Sequence, residues 1–253
     1  ILSPDEFSAL GKLVAAGIGF VANLVLWSEA GYFDAATETK PLLHLWSLGI
    51  EEQFYIIWPL LLIFAWKRKI SLLIVTMIVL FISFSFNIFN IKTDPIATFY
   101  SPLTRIWELL FGSVLSWIMV FKKDAFANFY FKINKQLSRY KPFNNAEERN
   151  IFANILSILG IVLFIIGFVK ITKESFFPGY WALVPVLGTV VIIMAGPEAW
   201  INKKILSNKF AVWFGLISFP LYLWHWPILS YGRIYYDKVP PDGFRWVAVL
   251  LSI

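Results

Sequence analysis

"HLWSLGIEEQFYIIWP", residues 44–59, places two adjacent carboxylates, Glu51 and Glu52, in a stretch otherwise apolar enough to cross a bilayer. A charge at the centre of a membrane helix costs about 2.5–3.5 kcal/mol on insertion scales, so a pair there points to a functional site. Ser47, Glu51, Tyr55 and Trp58 follow one another at i, i+4, i+8 and i+11 and so share a helical face. Glu52 lies about 100° round from Glu51. The two carboxylates sit about 10 Å below His44 at helical rise, too deep for so short a side chain to reach the headgroups. His44 itself, at the head of the stretch, reads as an exposed residue.

The rest of the chain has the same character. Of its 253 residues 58% are hydrophobic and 19% aromatic, and the mean hydropathy is +0.69. Soluble domains are about 45–50% apolar. The composition predicts an all-α, polytopic transmembrane helical bundle. With about 20 apolar residues needed per crossing, spans are expected over 7–27, 44–66, 70–90, 99–121, 151–171, 177–196 and 210–231, about seven complete spans plus a truncated eighth from near 244. No soluble domain interrupts 1–253. The chain opens without an initiator methionine and stops inside "WVAVLLSI", which reads as part of one transmembrane domain truncated at both ends.

A formal net charge of +6 reads here as topology, with no call for a nucleic-acid partner. The basic residues concentrate in 67–69, 122–150 and 197–209, whereas 28–43, 91–98, 172–176 and 232–243 are mixed or acidic. The positive-inside rule assigns the first set to the cytoplasm, and every loop then falls on the side its crossing number requires. Trp27, Tyr32, Tyr180, Trp181 and Tyr235, at span ends, suit interfacial aromatic belts. The 122–150 connection, the one long loop, is expected to form a short amphipathic helix. The chain has no cysteine, which excludes disulfides, thiolate catalysis and Cys-ligated metal. Its two histidines and scattered carboxylates show no metal-ligand spacing. No serine-hydrolase elbow, HExxH, P-loop or dinucleotide fingerprint stands in a usable context.

Two further spans carry ionisable groups. "FYSPLTRIWELLFG" holds Arg105 and Glu108 at i, i+3, and "GLISFPLYLWHWPI" aligns Ser218, Tyr222 and His225 at i, i+4 and i+7. Pro220 and Pro227 free backbone carbonyls near His225, and Pro227 is expected to end or kink its helix. Given the topology, all three sets fall in the outer half of the membrane, where one polar cavity would account for them. A structural ion pair is the alternative for Arg105 and Glu108, and an interfacial histidine bonded to a freed carbonyl is the alternative for His225.

The three quoted blocks, in this order and separation, resemble membrane acyltransferase family 3, the bacterial O-acetyltransferases that modify lipopolysaccharide O-antigen, peptidoglycan and other envelope glycans. "LSPDEF" and "GYFDAATETKPLLHLWS" fit the same branch, so the likeness covers nearly the whole chain. Phe219 stands where tyrosine is common and Leu45 where threonine is common, so this chain lacks those two hydroxyls.

The resemblance implies a multi-pass protein of the bacterial inner (cytoplasmic) membrane. Such a protein passes an acyl group, acetyl in the simplest case, from cytoplasmic acyl-CoA to a hydroxyl of an extracytoplasmic glycan, with acetyl-CoA as a donor substrate and no bound cofactor. It also implies a main catalytic histidine on a first helix outside 1–253, and in some members a C-terminal SGNH-type domain. Neither His225 nor His44 is assigned that histidine's place. Within the chain, Glu51 and Glu52 are expected to orient and charge it, and Arg105 with Glu108 to support catalysis by neutralising a carboxylate or gripping the donor's phosphates. Ser47, Tyr55, Ser218, Tyr222 and His225 are expected to bind the acceptor. A proton-coupled transporter or permease is the alternative, because intramembrane Glu, Arg and His are also its working parts.

Overall fold

The computed structural model describes residues 2–30, 39–138, 150–172 and 174–253. Tyr32 and the loop segments 31–38 and 139–149 lie outside these residues. Among the described residues there are helices and turns and no strand. Two compact units emerge, one from Ile1–Leu61, Phe99–Pro102 and Trp213–Ile253, the other from Leu62–Thr98 and Leu103–Val212.

Among the described residues, four helices are long and apolar enough to cross a membrane: α3 (Leu45–Lys67), α4 (Leu72–Asn90), α8 (Ile151–Lys170) and α10 (Lys209–Tyr236). Even α4, with 19 residues, reaches about 28 Å at helical rise, against a hydrocarbon core of about 30 Å. The other three apolar runs are broken or shorter. The run 7–27 is two helices, α1 (Pro4–Ile18) and α2 (Ala22–Glu29). The run 99–121 comprises the end of α5 (Pro95–Tyr100), a 3-10 turn at Pro102–Thr104 and α6 (Ile106–Phe121). Pro102 lacks the N–H that a continuous helix would need and biases Ser101 away from helical dihedrals. The run 177–196 is a 3-10 turn, Gly179–Ala182, followed by α9 (Leu183–Ala195). In α10 the helix continues through Pro220 and Pro227 to Tyr236, so neither proline ends it. Beyond it, α11 (Asp242–Leu251) occupies the eighth apolar run.

In the first unit, α1 opens with Pro4 and a reciprocal capping box. The Glu6 N–H donates to Ser3 Oγ at 3.3 Å and the Ser3 N–H to Glu6 Oε2 at 2.7 Å. These bonds hold the Glu6 carboxyl below its ordinary pKa. The helix stops where Phe20 adopts φ +56°, a left-handed conformation that leaves its carbonyl outside the helical ladder. Gln53 of α3 answers that carbonyl: Nε2 donates to Phe20 O at 2.7 Å and to Asn23 Oδ1 at 2.9 Å. Asn23 Nδ2 in turn donates to Tyr100 O at 3.1 Å. The close approach depends on Gly49, where an added Cβ would stand 2.9 Å from Asn23 Oδ1 and 3.2 Å from Phe20 O. Leu13, Leu26 and Tyr100 form the apolar core beside this network, with the tilted rings of Trp46 and Phe99 4.3 Å apart.

In the second unit, α4, α6, α8 and α9 pack with α7 (Lys123–Ser138), the helix expected within 122–150. Trp107 is fully buried; its backbone N–H donates to Ser83 Oγ at 3.2 Å and its indole to Thr104 O at 3.0 Å. Asn202 ties three segments together. Its Nδ2 donates to Ile192 O at 2.9 Å and Gly196 O at 2.8 Å, and its Oδ1 accepts from Ser157 at 3.1 Å. Tyr130 of α7 donates to Ala195 O at 3.1 Å, and burial pushes its pKa up to about 12, so it stays a donor. The α8–α9 contact is backbone to backbone: a Cβ on Gly160 would stand 2.4 Å from Ile192 Cγ1 and 2.9 Å from Gly188 O. Small residues at such crossings are how membrane helices approach closely, because lipid gives no hydrophobic drive between them.

That geometry makes Gly160→Ala destabilising by about 1–3 kcal/mol, the range for overpacking. Gly11→Ala, at a helical position with nothing within 4 Å of the added carbon, gains up to about 1 kcal/mol from helix propensity. Thermal unfolding of the two variants in detergent tests this; equal melting temperatures would contradict the close crossing.

Candidate functional site

The first unit gathers its polar groups where α3 begins and where α10 passes its two prolines. The His44 carbonyl precedes the first turn of α3 and accepts the Ser47 N–H at 3.4 Å. It also accepts the Tyr222 hydroxyl. A phenol has one hydrogen, and a carbonyl can only accept. The 2.6 Å bond between Ser47 Oγ and Tyr222 Oη is therefore donated by Ser47. One tyrosine thus staples the start of α3 to α10.

One turn on from Tyr222, the Nδ1 of His225 lies 3.0 Å from Leu221 O. The same reasoning puts the proton on Nδ1, so in the neutral ring Nε2 keeps its lone pair. His44 completes the cluster, its ring centroid 5.0 Å from Tyr222 and 5.7 Å from His225. It is only 7% exposed. The expectation of an exposed His44 is overturned, because α10 packs over the residue that starts α3. Both its ring nitrogens are enclosed without a closed hydrogen bond, and the Leu223 carbonyl faces the ring at longer range. Leu223 is the residue whose helical N–H partner would be residue 227, a proline. The freed carbonyl expected beside His225 therefore addresses His44.

Glu51 lies one turn beyond Ser47, half-buried, near enough for its charge to act on Tyr222 and on Glu52. Polar ties hold the surrounding elements. Trp226 Nε1 donates to Lys40 O at 2.9 Å, while the Lys40 ammonium is 3.6 Å from Glu29, which Lys12 meets at 2.7 Å.

Ser47, Glu51, Tyr222 and His225 are thus brought together. Tyr55 is 56% exposed and takes no part, although Trp58, further along the same face, is buried and stacks on Phe54. Ser218 is exposed and spends its hydroxyl on Gly215 O of its own helix at 2.7 Å. Arg105 and Glu108 belong to the second unit. They pair at 3.3 Å with little exposure, and the guanidinium lies 5.5 Å above the Phe177 ring centroid. Among the described residues, no group of three or more His, Cys, Asp or Glu side chains converges on a possible metal position. Sequence reading missed His44 as a cluster member, and also Asn23, Gln53 and Asn202. Uncharged amides leave no mark in a search for intramembrane charge; their signal was polarity at helix breaks.

The staple predicts a specific non-additivity. Tyr222→Phe strands the Ser47 hydroxyl and takes one of two donors from the His44 carbonyl, at about 1–3 kcal/mol for an unsatisfied buried group. Adding Ser47→Ala removes one stranded donor, so the double variant melts above the sum of the single effects. A double-mutant cycle by thermal unfolding in detergent reads the coupling, about 0.5–3 kcal/mol for residues in direct contact; strict additivity would remove the bond.

A family model described as an acyltransferase domain matches residues 7–253. The chain is 33% identical over 248 residues to the peptidoglycan O-acetyltransferase OatA of Listeria monocytogenes, an alignment covering 96% of this chain and 38% of that protein. It is 32% identical over 198 residues to an uncharacterised protein of Haemophilus influenzae, covering 75% of this chain and 72% of the relative. The chain therefore spans well under half the length of the Listeria relative. No solved structure matches it. With the model matched from residue 7 to the last residue, the chain belongs to acyltransferase family 3.

Proposed function

We propose that the protein carrying this chain is an integral-membrane O-acyltransferase that moves an acyl group, acetyl in the simplest case, from cytoplasmic acyl-CoA to a hydroxyl of an envelope glycan beyond a bacterial inner membrane. The observation that carries this reading is the cluster of Ser47, Tyr222, His225 and the enclosed His44 beside Glu51, within a chain of this family. Peptidoglycan is the glycan suggested by the name of the Listeria relative. In this reading α1–α2 and α5–α6 cross as broken helices. Breaks at membrane depth are tolerable where protein groups satisfy the freed backbone, as Gln53 does for Phe20.

The chemistry sets the demands. The acceptor oxygen attacks the thioester carbonyl, the hydroxyl proton passes to a base, and coenzyme A departs as the thiol. A histidine suits the base near neutral pH, and a carboxylate beside it fixes its tautomer and stabilises its cation. Glu51 and Glu52 take the second role. Two adjacent carboxylates in a low dielectric resist double ionisation, so the pair can carry a shared proton. Ser47, Tyr222 and His225 provide a donor–acceptor surface for sugar hydroxyls. In the second unit, Arg105 supports the site by neutralising the Glu108 carboxylate.

Sealed vesicles holding the full-length protein, with labelled acetyl-CoA on the cytoplasmic face and glycan acceptor present, test the proposal. Wild type should build a base-labile ester on the glycan. Glu51→Gln and Glu52→Gln, at matched expression, should each lower the rate by about 10²-fold or more, the scale of acid–base assistance. No ester from wild type would favour the proton-coupled permease. Unchanged rates in both variants would remove the glutamates from the site.

A further inference from the structure

In the second unit, the turn between α3 and α4 has a fixed geometry. The N–H of Ile70 returns to Ala65 O at 2.9 Å and that of Lys69 to Trp66 O at 3.0 Å. This is the Schellman pattern that closes a helix, with the left-handed position taken by Lys69 at φ +57° where glycine is usual. A left-handed lysine is disfavoured relative to the glycine usual there. Arg68 turns aside and lies 5.4 Å over the Phe64 ring, whereas Lys67 and Lys69 border a cleft of about 700 Å³. Trp66, Ile70, Trp117 and Phe121 line the cleft, and it contains no acidic residue. Trp66 is 68% exposed and Phe121 56%, an apolar floor suited to an acyl chain.

We propose that this cleft is a binding site for an anionic phospholipid, its headgroup phosphate between Lys67 and Lys69 and an acyl chain along the floor. The site stands where α3 and α6 end, and tryptophans beside lysines at span ends are the side chains that suit a headgroup boundary. Two ammonium groups above an apolar bed complement an anionic amphiphile, and each basic residue near such headgroups strengthens binding. A nucleotide fits less well, because among the described lining residues only the Ser71 hydroxyl can accept a hydrogen bond, the lysines and the two indole N–H groups being donors, so a base's donors would go unread. The inference does not depend on the acyl-transfer reading.

Native mass spectrometry of the purified whole protein, titrated in detergent with phosphatidylglycerol, tests it, with phosphatidylcholine as the neutral comparison and coenzyme A as competitor. Phosphatidylglycerol should be retained over phosphatidylcholine. The Lys67→Glu/Lys69→Glu variant should weaken its retention by about tenfold or more, whereas Lys92→Glu, a charge reversal of the same kind away from the cleft, should not. Lys69→Gly relieves the left-handed residue and removes one charge, so it should weaken lipid retention without lowering the melting temperature, which separates lost binding from lost folding. Equal retention of the two lipids, an unaffected double variant, or coenzyme A displacing the lipid would each overturn the proposal.

Discussion

Backbone carbonyls released where helices break govern this structure. In a bilayer such groups have no water to bond, so each break must be answered from within the protein. Four amide side chains supply the answers. Gln53 bonds the carbonyl at the Phe20 break, and Asn23 bonds that of Tyr100 at the end of α5. Asn87 bonds Gly179 O at 3.0 Å, where the turn before α9 begins. Asn202 bonds Ile192 O and Gly196 O at the end of α9. Each amide is therefore both a hydrogen-bond donor and a rule about which segments must be neighbours. Burying an amide without its partner would cost several times what the bond itself contributes, so the pairing is specified strongly.

The candidate site follows the same logic with a proline as the source. Pro227 withholds the N–H that Leu223 O would accept, and that carbonyl faces His44. Tyr222 meanwhile fastens the head of α3 by giving its proton to His44 O and taking one from Ser47. The consequence for chemistry is defined proton positions: Nδ1 of His225 is a donor, and the lone pair sits on Nε2. A site with assigned donors and acceptors discriminates among hydroxyls more sharply than one with free rotors, because a wrongly placed group leaves a buried partner unmet. Glu51 adds a carboxylate at the edge of this arrangement, near enough to act on Tyr222.

Much of this was legible in the chain. Hydropathy found α3, α4, α8 and α10, and helical periodicity put Ser47 with Glu51 and Tyr222 with His225 on shared faces. The same periodicity failed at Tyr55 and Ser218. Periodicity names a face and says nothing of which residues on that face a neighbour covers. Hydropathy also read 7–27 and 99–121 as single spans, since an average over apolar residues does not register one left-handed Phe20 or one Pro102.

The sequence alone determined that the chain is a helical membrane protein of acyltransferase family 3, because apolar content, charge alternation and the blocks at 44–59, 99–112 and 215–228 are properties of the chain read along its length. Only the tertiary structure decided that His44 is enclosed, that Tyr222 reaches a carbonyl 178 residues away, and that Gly160 and Gly188 let two backbones touch. Those facts depend on which faces meet and how closely, and burial and hydrogen bonding are settled by packing in three dimensions.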